Sequence, residues 1–226
     1  MKKNANILII LFVLFLTLAG SSIYADSGLD EDIAQRIDNP SDVYELLDSF
    51  KMMEGNWFVE RNSDVLEEVD FIYNYLGSET IQGRETEKIS LEIIDRNKNS
   101  NLMYFWLGDE EVQQIEIEGQ IIPKQMADMM TDDLLATVFS PITFFSRSQI
   151  DQISQFGEVD RLSENIGGND LDIIRVRADE LPEYELESAE IKLADFEDFL
   201  IVVFYEYYRS DINENVQFEV TDLELR

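Results

Sequence analysis

Between Tyr75 and Ile117 the chain reads as antiparallel strands in succession, and one of them, Leu102-Met103-Tyr104-Phe105-Trp106-Leu107, is apolar at every position. Just before it, Ile89, Leu91 and Ile93 alternate with Lys88, Ser90 and Glu92, the period of two expected of a strand with one dry and one wet face. The 102–107 run breaks that alternation. Both of its faces must be shielded from water, which an antiparallel sheet does not ordinarily require. The cover is either the protein's own elements or a bound apolar molecule, and that choice is the functional question the sequence poses.

Working outward, Gly77 to Gly83 supplies punctuation with a tight turn at Gly83-Arg84, Asp95 to Asn101 is a polar loop, and Gln113 to Glu118 alternates cleanly. The result is a meander of four or five strands with short connections. Upstream, Val65 to Leu76 is apolar on both sides, and Trp57-Phe58-Val59 opens the first strand. Before it, Val43, Leu46, Leu47, Phe50 and Met53 recur at three and four after Asn39-Pro40-Ser41-Asp42, which predicts an amphipathic helix closed near Gly55.

Pro123 changes the period. Met126, Met129, Met130, Leu134, Leu135 and Val138 fit one helix face, Pro141 ends it, and Ile150, Ile153 and Phe156 form a short second helix. Strands restart after Gly167-Gly168: Ile173 to Arg177, a segment around Ile191 and Leu193, and Phe199 to Tyr208, the second run with two apolar faces. In the last strand Val216, Phe218 and Val220 share one phase and Leu223 and Leu225 the other, which predicts a bulge near Thr221 or Asp222. Gly83 and Gly168 both lead through acidic residues into a strand, a weak internal echo that repeated hairpin grammar explains.

Residues 1–25 carry Lys2 and Lys3, an apolar run from Ile7 to Leu18 and small residues up to Ala25, the pattern of a secretory signal peptide cleaved after Ala25. The apolar core is shorter than the roughly 20 residues needed to cross a bilayer. With no cysteine in the chain there is no lipid attachment point at the cleavage site, no disulfide and no thiolate chemistry, so the expectation is an exported protein with no stable membrane anchor after cleavage, periplasmic or extracellular. Histidine is absent too, which removes a Ser-His-Asp triad and the commonest transition-metal ligand. Net charge is −31, becoming −33 when Lys2 and Lys3 leave. That field repels nucleic acid and anionic membranes. The acids are dispersed as on a solvated surface, and no Asp-x-Asp-x-Asp-Gly calcium loop is present.

The segment from Tyr75-Leu76-Gly77 through Gly83-Arg84 and Lys88-Ile89-Ser90-Leu91 to Tyr104-Phe105-Trp106 and Gln114-Ile115-Glu116-Ile117 resembles the outer-membrane lipoprotein-sorting (LolA/LolB-like) superfamily. There a glycine-bounded hairpin precedes an alternating strand, a strand with a central Trp and an acidic turn. Ser140-Pro141 to Phe145 resembles the apolar link in the helical insert of those proteins. The resemblance spans about 43 to 225 in order of elements and implies a non-enzymatic half-open β-barrel, a fold of lipid or lipoprotein carriers and of sensory domains. The carriers' arginine inside the barrel has no assigned counterpart, Arg175 and Arg209 being the positions open to it.

Together these readings predict an α+β fold: a strongly curved antiparallel sheet, or half-open β-barrel, with helices covering the concave face. Residues 26–40 form a flexible lead-in and 41–226 one half-barrel domain with a helical insert at 123–156. The expected apolar lining is Tyr73, Tyr75, Tyr104, Trp106, Phe204 and Tyr205 from the sheet, with Met126, Met129, Met130 and Phe144 from the insert. Flexible Met side chains over an aromatic sheet suit acyl chains of varied shape. The expected function is an exported, non-enzymatic binding protein that shelters a lipid, an acyl chain or a lipoprotein acyl group, with no cofactor and no metal. The alternatives are an envelope sensor or protein-interaction module with a filled core, and a carboxylate-only glycan hydrolase.

Overall fold

The computed structural model describes residues 49–108, 111–123, 153–155, 157–181, 185–196 and 199–226. The expected signal segment, the lead-in and most of the 123–156 insert lie outside the described residues. Among the described residues eleven strands form one sheet: β1 (Phe50–Arg61), β2 (Asp64–Ile81), β3 (Arg84–Asp95), β4 (Ser100–Gly108), β5 (Glu111–Ile117), β6 (Gln120–Ile122), β7 (Gly157–Ile166), β8 (Asn169–Ala178), β9 (Ser188–Phe196), β10 (Phe199–Arg209) and β11 (Glu214–Leu225). Their order is β6-β5-β4-β3-β2-β1-β11-β10-β9-β8-β7, with antiparallel neighbours throughout. Two meanders therefore meet at the β1–β11 seam, and the segment between β6 and β7 separates them along the chain.

Local chemistry explains the meanders. Asn62-Ser63, Gln82-Gly83, Glu118-Gly119 and Gly167-Gly168 each join two strands with positive φ at both residues, the pattern of the type I′ turn whose twist matches that of a hairpin. Gly83 and Gly168 share this turn grammar, which accounts for the echo between them.

Bulges bend the strands. Thr221 is the extra residue where Glu54 faces Asp222 and Gly55 faces Val220, at one of the two positions that the change of apolar phase predicted. Leu66 and Leu76 are likewise extra residues in β2, and both stand half-exposed because a bulged residue leaves the ladder.

Paired residues share a face, so the register sorts the side chains. The first face carries rows such as Tyr73, Leu91, Met103 and Ile117, and farther along Phe218, Tyr205, Ile191 and Val176. The second face carries Lys88, Trp106 and Tyr104 in the first meander and Phe204, Lys192 and Arg175 in the other.

Beyond β11 the sheet curls. The β7–β8 turn returns to touch β11, where the Asn169 side-chain amide donates to the Leu223 carbonyl at 2.5 Å, although three strands separate β7 from β11 in the sheet. Inside this curl Leu171, Ile173, Ala194, Ile201 and Val203 are buried.

The fold class departs from the α+β expectation. Among the described residues the architecture is all-β, and helical structure is confined to Ser49 and a single turn at Ile153–Gln155; no helix covers a concave face there. The expected helix through Met53 is overturned where it can be seen, because Phe50 onward is strand. The physical reason is a bulge: Lys51 is an extra residue between the pairs Phe50 with Leu225 and Met52 with Glu224. Phe50 and Met53, three apart, therefore both bury, at 2% exposure each, and imitate a helical period. Ile153, expected on the short second helix, is helical and buried in the core.

Candidate ligand-binding face

The first face is organised by an aromatic layer that crosses four strands. Phe71 of β2 stacks on Phe218 of β11, with centroids 5.6 Å apart and planes within 3°. Phe218 stacks in turn on Tyr205 of β10 at 5.3 Å, and Trp57 of β1 meets Tyr205 edge-on at 5.7 Å. Such pairs add about 0.5–1.5 kcal/mol beyond area burial. Phe71 reaches Phe218 across β1 because the intervening residue is Gly55, where a Cβ would lie 2.5 Å from the Phe71 ring and 2.4 Å from the Glu219 carbonyl oxygen.

Polar groups stand at one end of this layer. Glu67, Val59, Val216 and Tyr207 form one row of the first face. The Trp57 indole donates a hydrogen bond to the Glu67 carboxylate, but burial is the larger influence and raises the Glu67 pKa. Burial also lifts the Tyr205 phenol well above its ordinary value, and it lifts Tyr207 with help from the Glu214 carboxylate. The phenols thus stay neutral at physiological pH, and the face presents an apolar wall with a few polar handles, the usual composition of a small-molecule site. The rim beyond it holds Arg61, ion-paired with the buried Glu214, and Arg209, ion-paired with Glu185 and Asp211.

The ten residues expected to line one chamber are divided by the register. Tyr73, Tyr75 and Tyr205 lie on the first face, Tyr73 being fully buried and the Tyr75 hydroxyl donating to Glu87. Tyr104, Trp106 and Phe204 lie on the second. Met126, Met129, Met130 and Phe144 lie outside the described residues.

The second face answers the question raised by the two doubly apolar strands. Lys88, cross-strand partner of Trp106, holds its ammonium 4.5 Å from the Trp106 ring centre and 5.1 Å from that of Tyr104. Glu79 accepts from the Trp106 indole at 2.8 Å and pairs with Lys88 at 3.5 Å. Trp106 is consequently 3% exposed. The device repeats in the other meander: Lys192, partner of Phe204, stands 5.0 Å from that ring and 2.6 Å from Glu164. Each lysine lays its aliphatic stem and charge over an aromatic face, so here the chain covers its own second face.

Inside the curl, Glu164, Asn165, Ile166, Lys192, Val203, Phe204, Glu219, Val220 and Thr221 line a cavity of about 200 Å³. Arg175 stands on this second face and bonds Asp160 at 2.5 Å, whereas Arg209 belongs to the rim of the first. Among the described residues no cluster of three His, Cys, Asp or Glu is arranged to hold a metal ion, and no helix is long and apolar enough to cross a membrane.

Sequence reasoning missed Trp57, Glu67, Phe71, Tyr207 and Phe218 as site residues. A signal for Glu67 exists: in the phase 67, 69, 71, 73, 75 it is the one charged residue among Val69, Phe71, Tyr73 and Tyr75. The contact of Phe71 with Phe218 had none, since it depends on the β1–β11 seam.

No protein-family model and no curated protein matches the chain. Similar solved structures include MucB, at 15% identity and TM-score 0.38 over 89% of this chain, which spans 59% of the length of MucB. A putative outer membrane lipoprotein-sorting protein domain from Vibrio parahaemolyticus matches at 9% identity and TM-score 0.25 over 87% of this chain and 91% of its own. The lipoprotein LppX of Mycobacterium tuberculosis matches at 9% identity and TM-score 0.30 over 88% and 97%. The class that the hairpin-to-Trp segment resembles is thus present among the similar structures. At these TM-scores the likeness carries no functional argument, which rests on the residues themselves.

Proposed function

We propose that the chain is an exported, non-enzymatic binding protein that holds a lipid, an acyl chain or a lipoprotein acyl group against the first face of its sheet. The observation that carries this reading is the aromatic layer of Phe71, Phe218, Tyr205 and Trp57, in which Trp57 and Phe71 remain partly accessible beside neutral phenols and a half-buried carboxyl. The test is extraction of the natively purified mature protein with organic solvent, followed by mass spectrometry. A stoichiometric lipid species is expected, and its loss in Phe218→Ala, in a protein that still folds, ties it to this face. A wild-type protein that carries no lipid and binds none on addition refutes the reading.

A second reading, an envelope protein-interaction module with a filled core, is favoured by a different observation. Phe105, Ile115, Val176 and Phe218 are wholly buried, as a filled core requires. Affinity capture from envelope extract separates the two: a module retains one defined polypeptide and no lipid.

A further inference from the structure

The polar end of the first face carries an inference that rests on the lipid-binding reading and deepens it. Glu67 is the acidic residue of its row, with Val59 beside it and Val216 and Tyr207 beyond. It is partly exposed, next to the accessible edge of the aromatic layer at Trp57 and Val69, which are themselves cross-strand partners.

The charges facing it are uneven. From β1, Arg61 is committed to Glu214 of β11, with its Nε 2.9 Å from the carboxylate. From β10, Arg209 is committed to Glu185 at 2.9 Å and Asp211 at 3.1 Å. Among the described residues no cation pairs with Glu67, whose partner is the Trp57 indole. From the β3 side, Asp95 is the cross-strand partner of Val69 and is held by Asn97 and Asn99, and the Arg96 guanidinium donates to the Val65 carbonyl at 2.9 Å. Among the described residues three guanidinium groups therefore stand against five carboxyl groups, and Glu67 lies beside the apolar wall with an indole rather than a cation as its partner.

We propose that Glu67 contacts the polar end of the ligand and restricts the site to amphiphiles whose head is a non-anionic hydrogen-bond donor, such as a hydroxyl or an ammonium, excluding free carboxylates and phosphates. A donor head satisfies the carboxylate's remaining acceptor sites. An anionic head adds a second negative charge in a low-dielectric corner, where like charges repel far more strongly than in water. Burial already penalises the charged form of Glu67, and an anion beside it compounds that penalty.

The two tryptophans make the test local, since Trp57 and Trp106 lie on opposite faces. In Trp106→Phe protein at pH 8, Trp57 emission is titrated with submicellar 1-monolauroyl glycerol and with laurate, which share a chain length and differ in head charge. The glycerol ester is expected to bind at least tenfold more tightly than laurate. Glu67→Gln, which keeps an acceptor for the indole, is expected to bring the two within threefold. Glu68→Gln removes the same charge from the opposite face, where Glu68 faces Phe58, and is expected to leave the ratio unchanged. Equal binding of both probes by the parent, tighter binding of laurate, or an equal response to the two glutamate substitutions overturns the role of Glu67 while leaving the lipid-binding reading intact. Failure of both probes to alter Trp57 emission overturns the lipid-binding reading itself, and this inference with it.

Discussion

Gly55→Ala is the sharpest single perturbation of this sheet. The new methyl group would stand 2.4 Å from the Glu219 carbonyl oxygen, and 2.5 and 2.6 Å from two atoms of the Phe71 ring, against an ordinary carbon contact of about 3.5–4.0 Å. The ring can swing away only by leaving Phe218, its stacking partner. The carbonyl can retreat only by moving β11 at the Thr221 bulge. Overpacking of this kind costs about 1–3 kcal/mol, and with a backbone atom involved the upper end applies. The lost freedom of the unfolded chain returns about 0.4–1 kcal/mol, leaving a net destabilisation of about 2–3 kcal/mol. For a chain of this size that lowers Tm by roughly 4–12 °C. Urea unfolding, followed by tryptophan emission and far-ultraviolet circular dichroism, measures it. The double variant with Phe71→Ala should be less destabilised than the sum of the singles by about 1 kcal/mol, because removing the ring relieves half of the clash. A Gly55→Ala protein within about 0.5 kcal/mol of the parent, or strict additivity in the double variant, refutes the steric account.

Three other outcomes are expected. Lys88→Ala uncovers Trp106 and costs about 0.5–1 kcal/mol, seen as a red-shifted emission in a Trp57→Phe background. Ser63→Gly replaces a side chain at φ +67 with the residue preferred in this turn, so the denaturation midpoint should rise by the equivalent of about 0.5–1 kcal/mol. Because the folded-state pKa of Glu67 is raised above its ordinary 4.5, the folded state binds more protons than the unfolded chain between the two values. Stability from this group is complete below 4.5 and is lost as pH rises through the folded pKa. Glu67→Gln should therefore exceed the parent in stability at pH 8, with the difference in urea midpoint shrinking as pH falls toward 4.5.

How far the sequence could be read depended on whether neighbours in space were neighbours in the chain. Strands β3, β4, β5 and β10 announce themselves by alternation or by unbroken apolar runs, and the Thr221 bulge follows from the change of phase between Val220 and Leu223. β7 was missed because Val159 faces one side of the sheet while Leu162 and Ile166 face the other, so no period of two exists to be found. The first turn of β1 was misread because the Lys51 bulge spaces Phe50 and Met53 like helix neighbours. At the site, Glu67 was legible as a charge in an apolar phase. The lysine covers were not, since pairing Lys88 with Trp106 or Lys192 with Phe204 requires the register of two strands. Sequence patterning says that a face is dry; register alone says what keeps it so.

The seam between β1 and β11 has a bearing on how the protein is made. Phe50 pairs with Leu225, and the Arg226 amide donates to the Ser49 carbonyl at 3.0 Å, so the central ladder joins segments some 175 residues apart. Each meander grows by hairpins between near neighbours, which close quickly. Until residues 214–225 have emerged, however, β1 keeps a bare hydrogen-bonding edge beside Trp57 and Met53, the kind of edge that pairs with other chains. β11 is the keystone of the sheet, and a chain in which it has not yet been made is a natural client for a chaperone that shields strand edges.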